Sequence, residues 1–425
     1  MELFKKKRLI IILAVLILLS GVFYVSNAHI SEKNDMGMKY KKVLVIGIDG
    51  MDPEIIGNLS AEGKLPNLKA LSEKGTFIRL NTSYPPHSPV AWTSIATGSN
   101  PGKHNIFDFI IRNPENYLPE LSLAKPEYGL FGTKYLSNIK AEPFWKISSN
   151  AGVYTEVIRW PMTFPPEKVN GNMLSGLGVP DIKGFLNGYS YYTEDEKEVI
   201  NQKTFLVENN KGIIETEISG PKTRKSGEIT DIKLPIKIIP DSNNSARLVI
   251  QGKEYLLEKE EWSDWIKAKF KIDFFKRVDG NFKAYLVDIN PFKLYITTMQ
   301  MNPENPVAEI SYPRGYSGSL AENIGLYYTV GMPEETEGYV DNLIDDKAML
   351  SQIEEIGKER DRMFWKEFDA FNKKDSGIFA FVYDDSDRIQ HVFCDEKALE
   401  GRHEISKPVS DYFVKKDELI GKVVQ

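Results

Sequence analysis

The run KVLVIGIDG, from Lys42 to Gly50, stays apolar until it closes on Asp49 and Gly50. Unbroken apolarity over that length predicts a strand buried on both faces of a parallel sheet. Helical spacing follows from Pro53 to Gly75 (Ile55, Ile56, Leu59, then Leu68 and Leu71), interrupted near Gly63 to Pro66. Thr76 to Leu80 reads as a short strand, Pro89 to Thr97 as a helix, and Gly152 to Ile158 as a further β-branched run. IFAFVYDD, ending at Asp385, is the clearest later strand. Asp341 to Asn372 predicts a long amphipathic helix, and helical spacing returns from Lys407 to Val424. Strands alternating with helices predict an α/β fold with a doubly wound, mostly parallel sheet. Its ligands would sit beyond the carboxyl ends of the strands.

Between residues 196 and 305 the texture changes. Short alternating segments such as IKLPIKII, ARLVIQG, KEYLLE and KAYLVDI are separated by Asn, Ser, Gly and Asp turns, which predicts a β-rich insertion. Residues 42–195 and 306–425 then form the α/β core. At the other end, Lys5, Lys6, Lys7 and Arg8 precede an apolar run from Leu9 through Val25. At about 17 residues it is at the short end of what spans a bilayer. Ser26 and Ala28 give a small-x-small cleavage pattern, so residues 1–28 are a signal peptide or an uncleaved signal anchor. Residues 29–41 are a polar linker. Either reading places the chain outside the cytoplasm, secreted or anchored on the outer face of the cytoplasmic membrane.

Composition narrows the function more than the fold. The 425 residues, 41% apolar, are enough to bury a large core, and a net charge of −6 gives no basic footprint for nucleic acid. A single cysteine, Cys394, excludes an intrachain disulfide framework and a cysteine-based zinc cluster. Five histidines remain: His29, His87, His104, His391 and His403.

Three short pieces carry candidate chemistry. Asp49 ends the first strand, where a carboxylate is a hard oxygen ligand for a divalent cation; in GIDGMD it is equally an ordinary turn residue. Ser88 followed by Pro89 is a good helix start, with Ser as N-cap and Pro at the first helical position, and Gly98 closes the helix. The same helix start, with unpaired N–H groups and a positive dipole end, would stabilise a phosphate and a serine alkoxide. Asp387 and His391, four residues apart after IFAFVYDD, fall on one face of a helical turn as a chelating pair requires; the plainer alternative is a solvated turn.

With VLVIGIDGMD, SPVAWTSIATGSNPGKHNIFDF, LSGLGVPDIKG and YDDSDRIQH, the chain resembles the type I phosphodiesterase/nucleotide pyrophosphatase family of the alkaline phosphatase superfamily. The resemblance spans most of the chain from Lys42 onward, outside the β-rich insertion. It implies that Ser88 is the metal-bound nucleophile, that Asp49 shares a metal with it, and that Asp387 and His391 belong to a second metal. It also implies in-line attack on phosphorus, a covalent phospho-enzyme, and two divalent ions, zinc or alternatively manganese.

The sequence departs from the family pattern in three places. Phe109 stands near where the family has an Asn for a phosphoryl oxygen, a role that could pass to Arg112. Asn105 follows His104 in place of the usual Gly. The family's later Asp-His-Gly segment and final His do not follow Asp387–His391, where only His403 remains, so the chain reads as C-terminally truncated. Ser88 lacks the Pro and Arg of a sulfatase motif, and GYSGS at Gly315 has the wrong spacing for an esterase elbow. The expected function is an exported metal-dependent phosphodiesterase or phosphohydrolase. The alternative is a non-catalytic, truncated or degenerate member acting as a surface binding module. Substrates open to the first reading are nucleotides, lipid headgroups and polyol phosphates, with the β-rich insertion capping the site and the membrane reached through the N-terminal segment.

Overall fold

The computed structural model describes residues 41–129, 132–186, 188–225, 228–273, 276–394 and 405–425. The chain divides into two units, Met1–Lys41 and Lys42–Gln425, and every element below belongs to the second. The predicted signal or anchor, and His403, lie outside the described residues. Among the described residues no helix is long and apolar enough to cross a membrane.

The first part of the core runs β1 (Lys42–Ile48), α1 (Pro53–Ala61), α2 (Pro66–Lys74), α3 (Ser88–Thr97), β2 (Thr155–Ile158) and β3 (Met173–Leu174). After the β-rich segment come β15 (Ser311–Tyr312), α4 (Tyr316–Ile324), α5 (Asp346–Asn372), β16 (Gly377–Tyr383), α6 (Asp385–Phe393) and α7 (Lys407–Val423). The main sheet has the order β1-β16-β2-β3-β15, parallel except for its last pair. This is the α/β class with a mostly parallel sheet that the alternation predicts.

Two local expectations fail for one reason. β16, in the interior of the sheet, is buried on both faces, whereas β1 is an edge strand with only Gly47 fully buried. The predicted strand Thr76–Leu80 is irregular, with Phe77, Ile78 and Leu80 more than half exposed. A short apolar run becomes a strand only if a neighbour accepts its hydrogen bonds, and β1 pairs on one side alone among the described residues. Arg79 is instead tied to Glu54 of α1 at 2.7 Å.

The two ends of the core meet through a cap. α2 has no capping side chain of its own at Leu65; Asp417 of α7 supplies one. It accepts the Leu68 N–H at 2.7 Å and the Asn67 N–H at 3.1 Å. The helices pack tightly there, since a Cβ on Gly421 would lie 2.5 Å from the Asn67 side chain.

On β2 the fully buried Glu156 faces Glu367 of α5, and it accepts hydrogen bonds from Tyr154, Asn172 and Tyr316. Burial, then the hydrogen bond and charge of Glu367, push its carboxyl up to about 9 from an ordinary 4.5. The folded chain therefore holds a proton that the unfolded chain releases. That contribution is complete below about pH 4.5 and is lost as pH climbs toward 9. Stability should fall by up to about 1.4 kcal/mol per pH unit in this window. Glu156→Gln, which cannot ionise, should flatten the slope in urea melts; equal slopes in both proteins would refute the shared proton.

The β-rich segment runs β4 (Ser190–Thr193), β5 (Thr204–Leu206), β6 (Ile214–Lys225), β7 (Glu228–Pro240), β8 (Ser245–Ile250), β9 (Lys253–Glu258), β10 (Ile266–Lys271), β11 (Arg277–Phe282), β12 (Ala284–Ile289), β13 (Phe292–Ile296) and β14 (Gln300–Met301). They form sheets β6-β7-β8-β9, β10-β11-β14 and β12-β13-β4-β5 around one apolar cluster that includes Ile236, Leu248, Phe270, Phe282 and Leu294. Every second residue of β8 and β10 enters that cluster, which leaves Ser245, Arg247 and Val249 of β8 and three lysines of β10 on the outward faces.

Candidate active site

β1, β16 and β2 lie side by side with their carboxyl ends on one edge, and each delivers a charged residue there. The Asp49 N–H still bonds the Tyr383 carbonyl of β16 at 3.0 Å, so its side chain emerges where the sheet ends. Gly50 then turns with φ +68°, and a Cβ there would stand 3.4 Å from Asp387 Oδ1 and 3.0 Å from Gln390 Nε2. The turn after β1 thus runs against α6.

The start of α3 differs from the sequence expectation. The N-cap is His87, and Ser88 is the first helical residue. The Val90 and Ala91 N–H groups both bond the His87 carbonyl, and Pro89 has no N–H, so little of the expected set of free donors remains. Relieved of capping, the Ser88 hydroxyl donates to Asp49 Oδ2 at 2.9 Å. One turn on, Trp92 Nε1 donates to Asp49 Oδ1 at 2.8 Å. Gly47 makes room for that indole, since a Cβ there would fall 2.4 Å from Trp92 Cη2. Burial and the nearby Asp387 raise the Asp49 carboxyl to about 6, against the pull of the Trp92 and Ser88 hydrogen bonds.

Asp387 and His391 lie one turn apart on α6, with Asp387 Oδ1 3.4 Å from His391 Nε2. Arg388 Nη2 lies 3.6 Å from the other oxygen of Asp387. His391 is largely exposed and Asp387 mostly covered. Carboxylate, hydroxyl and imidazole are the donors a divalent cation takes, and a cation would relieve the charge that Asp387 imposes on Asp49. The fit is one of kind, not number. Among the described residues no three His, Cys, Asp or Glu side chains gather closely enough to hold a metal.

Phe109 and Arg112 are not gathered in the same way. Phe109 packs beside Val90 and Ile106, with its ring 6.2 Å from that of His87. Arg112 is exposed and its guanidinium stacks 4.6 Å from the Tyr117 ring. His104 is a fully buried core histidine: its Nδ1 accepts the Ile106 N–H, and its Nε2 lies 2.9 Å from Ser94 Oγ.

Beneath the site lies a charge network that the sequence reading did not reach. Asp384, at the end of β16, accepts a short hydrogen bond from Arg159 Nη2 and one at 2.9 Å from Arg360 Nε. Arg360 also donates to Glu359 at 2.6 Å. Burial alone would favour a neutral Asp384, yet the two guanidinium groups hold its carboxyl well below the usual range. Arg159 follows β2 in a left-handed conformation (φ +61°), and Gly176 leaves space for it, since a Cβ there would sit 2.2 Å from the Arg159 carbonyl. Trp92 was findable in sequence, one helical turn from Ser88. Arg159 and Arg360 carry no local signal, because only the sheet order brings them to Asp384.

Fold and site define an α/β protein with a hydroxyl–carboxylate pair at the carboxyl edge of its sheet. Residues 43–232 match the model of the type I phosphodiesterase / nucleotide pyrophosphatase family, the family expected from the motifs. That stretch holds Asp49, Ser88, Phe109 and Arg112; Asp387 and His391 lie beyond it. The solved structure of phosphonoacetate hydrolase from Sinorhizobium meliloti 1021, in complex with phosphonoformate, is similar at 22% identity. The likeness covers 28% of this chain and 26% of that one, with a TM-score of 0.21, so it is local. No curated protein matches the chain.

Proposed function

We propose that the chain is a metal-dependent phosphodiesterase or phosphohydrolase in which Ser88 is the nucleophile. The observation that carries this reading is the Ser88 hydroxyl held at 2.9 Å on Asp49 at the sheet edge, inside the family-matched stretch. Asp49 fixes the hydroxyl, and Trp92 fixes Asp49. Ser88 Oγ, its proton released to solvent, forms a bond to phosphorus while the opposite P–O bond breaks, and the leaving oxygen takes a proton from solvent and departs as the alcohol. Water then cleaves the phosphoserine and restores the hydroxyl. Asp49 with Ser88, and Asp387 with His391, would each contribute two ligands to a divalent cation, zinc or manganese. When bound, such cations offset the charge on the phosphoryl oxygens and lower the proton affinity of the serine. The N-terminal basic and apolar segment supports export, to be checked by cell fractionation.

The full chain, dialysed with zinc or manganese, is expected to retain metal and hydrolyse bis-p-nitrophenyl phosphate. The competing reading, a non-catalytic binding module, is favoured by the lack of a third ligand among the described residues. No retained metal and no turnover would decide for it.

A further inference from the structure

We propose that a basic cavity in the β-rich segment binds a soluble, multiply charged phosphate-bearing anion. The cavity, of about 570 Å³, lies between the β8–β9 hairpin and strand β10. It is lined by Lys253, Lys267, Lys269, Lys271 and Arg277, with no acidic side chain among the described residues of its wall, although Asp279 stands opposite Lys269 on the next strand. None of these residues belongs to the candidate active site.

The pattern of β10 sets three of the charges. Ile266, Ala268 and Phe270 point into the segment's core, so Lys267, Lys269 and Lys271 share the outer face. Arg277 of β11 stands directly opposite Lys271, a like-charge pairing that disfavours the sheet. Lys267 is tied to Glu304 at 2.6 Å, but Lys253, Lys269 and Arg277 make no ion pair among the described residues. The hairpin is built onto this strand. Gln251 and Gly252 form a two-residue turn with φ of +50° and +77°. The Gln251 amide then donates to the Lys269 carbonyl at 2.8 Å and accepts the Lys269 N–H at 3.0 Å. That reciprocal pair fixes the hairpin tip, and Lys253 with it, beside the lysine row.

Lysines on an edge strand also guard against aggregation. That role explains the β10 row but not Lys253 and Arg277, which come from other strands to the same hollow. In a chain of net charge −6, five cations around one concavity mark a local reversal of sign. The volume lies within the range of small-ligand sites, roughly 300–1,000 Å³. A single negative charge would leave uncompensated two of the three cations without an ion pair, Lys253, Lys269 and Arg277, so the ligand carries several, as oligophosphates and polyphosphorylated sugars or polyols do.

Calorimetric titration of the full chain with sodium tripolyphosphate tests the proposal. Binding is expected, weakening as salt is raised, and weakening roughly tenfold or more in Lys269→Glu/Lys271→Glu. Ser88→Ala should bind as the wild type does, which separates this cavity from the active-site reading. If the charge-reversed protein melts early, Lys269→Gln/Lys271→Gln serves in its place, with a smaller loss expected. No binding by the wild type, or unchanged binding in the variants, would overturn the proposal. So would cosedimentation with phosphatidylglycerol vesicles without tripolyphosphate binding, which would assign the lysines to a membrane surface.

Discussion

Ser88→Ala is expected to lower bis-p-nitrophenyl phosphate turnover by about three orders of magnitude or more, with the thermal midpoint nearly unchanged. The size follows from removing the proposed nucleophile. The small effect on folding follows from position. Ser88 is partly exposed, occupies the first turn of α3, and caps nothing. The lost hydrogen bond to Asp49 is one among several that hold the turn after β1, and a typical one contributes about 1 kcal/mol. Ser88→Thr keeps a hydroxyl at the same place and should retain part of the rate. Mass spectrometry of quenched wild-type reactions should find phosphate on the peptide containing Ser88, and none in the alanine variant. A variant that turned over at the wild-type rate would remove Ser88 from the mechanism and point to direct attack by water.

The sequence exposed the pieces of this site more readily than their assembly. KVLVIGIDG and IFAFVYDD became β1 and β16 because runs so apolar have nowhere to go except a sheet interior or its edge. Which of the two was interior was not legible, since sheet order depends on contacts made over more than 300 residues. That same order explains why Thr76–Leu80, which reads as a short strand, found no neighbour among the described residues and stayed irregular. Ser88 was legible as a helix start, but its role there depended on a partner 39 residues away: the hydroxyl that local rules assign to capping goes to Asp49. Asp387 and His391 were legible as a pair because helical spacing is local. The absence of signal for Arg159 and Arg360 has the same origin. Buried guanidinium groups are unusual on any helix or strand, and only a carboxylate from another element makes them tolerable.

Arg360→Met is expected to destabilise the fold by about 3–5 kcal/mol, the effect typical of removing one partner from a buried ionic network. Arg360 is fully buried and joins two carboxylates, Asp384 through Nε and Glu359 through Nη1. Methionine fills a similar volume, so the loss reports charge and hydrogen bonding more than packing. Among the described residues Glu359 would keep the Tyr328 N–H, at 3.1 Å from Oε1, as its hydrogen-bond donor. Its carboxyl is already raised to about 7 by burial, so without the neighbouring guanidinium it would be driven further toward the neutral form. Asp384 would keep Arg159 alone. Its position makes the effect reach the site, because Asp384 immediately precedes α6, which carries Asp387 and His391. Arg360→Lys keeps the charge but loses the fork that reaches both carboxylates, and should fall between the two. Urea denaturation with a common slope measures the difference. A loss below about 1 kcal/mol would mean that the carboxylates find other partners, and that the network does not hold the end of β16 in place.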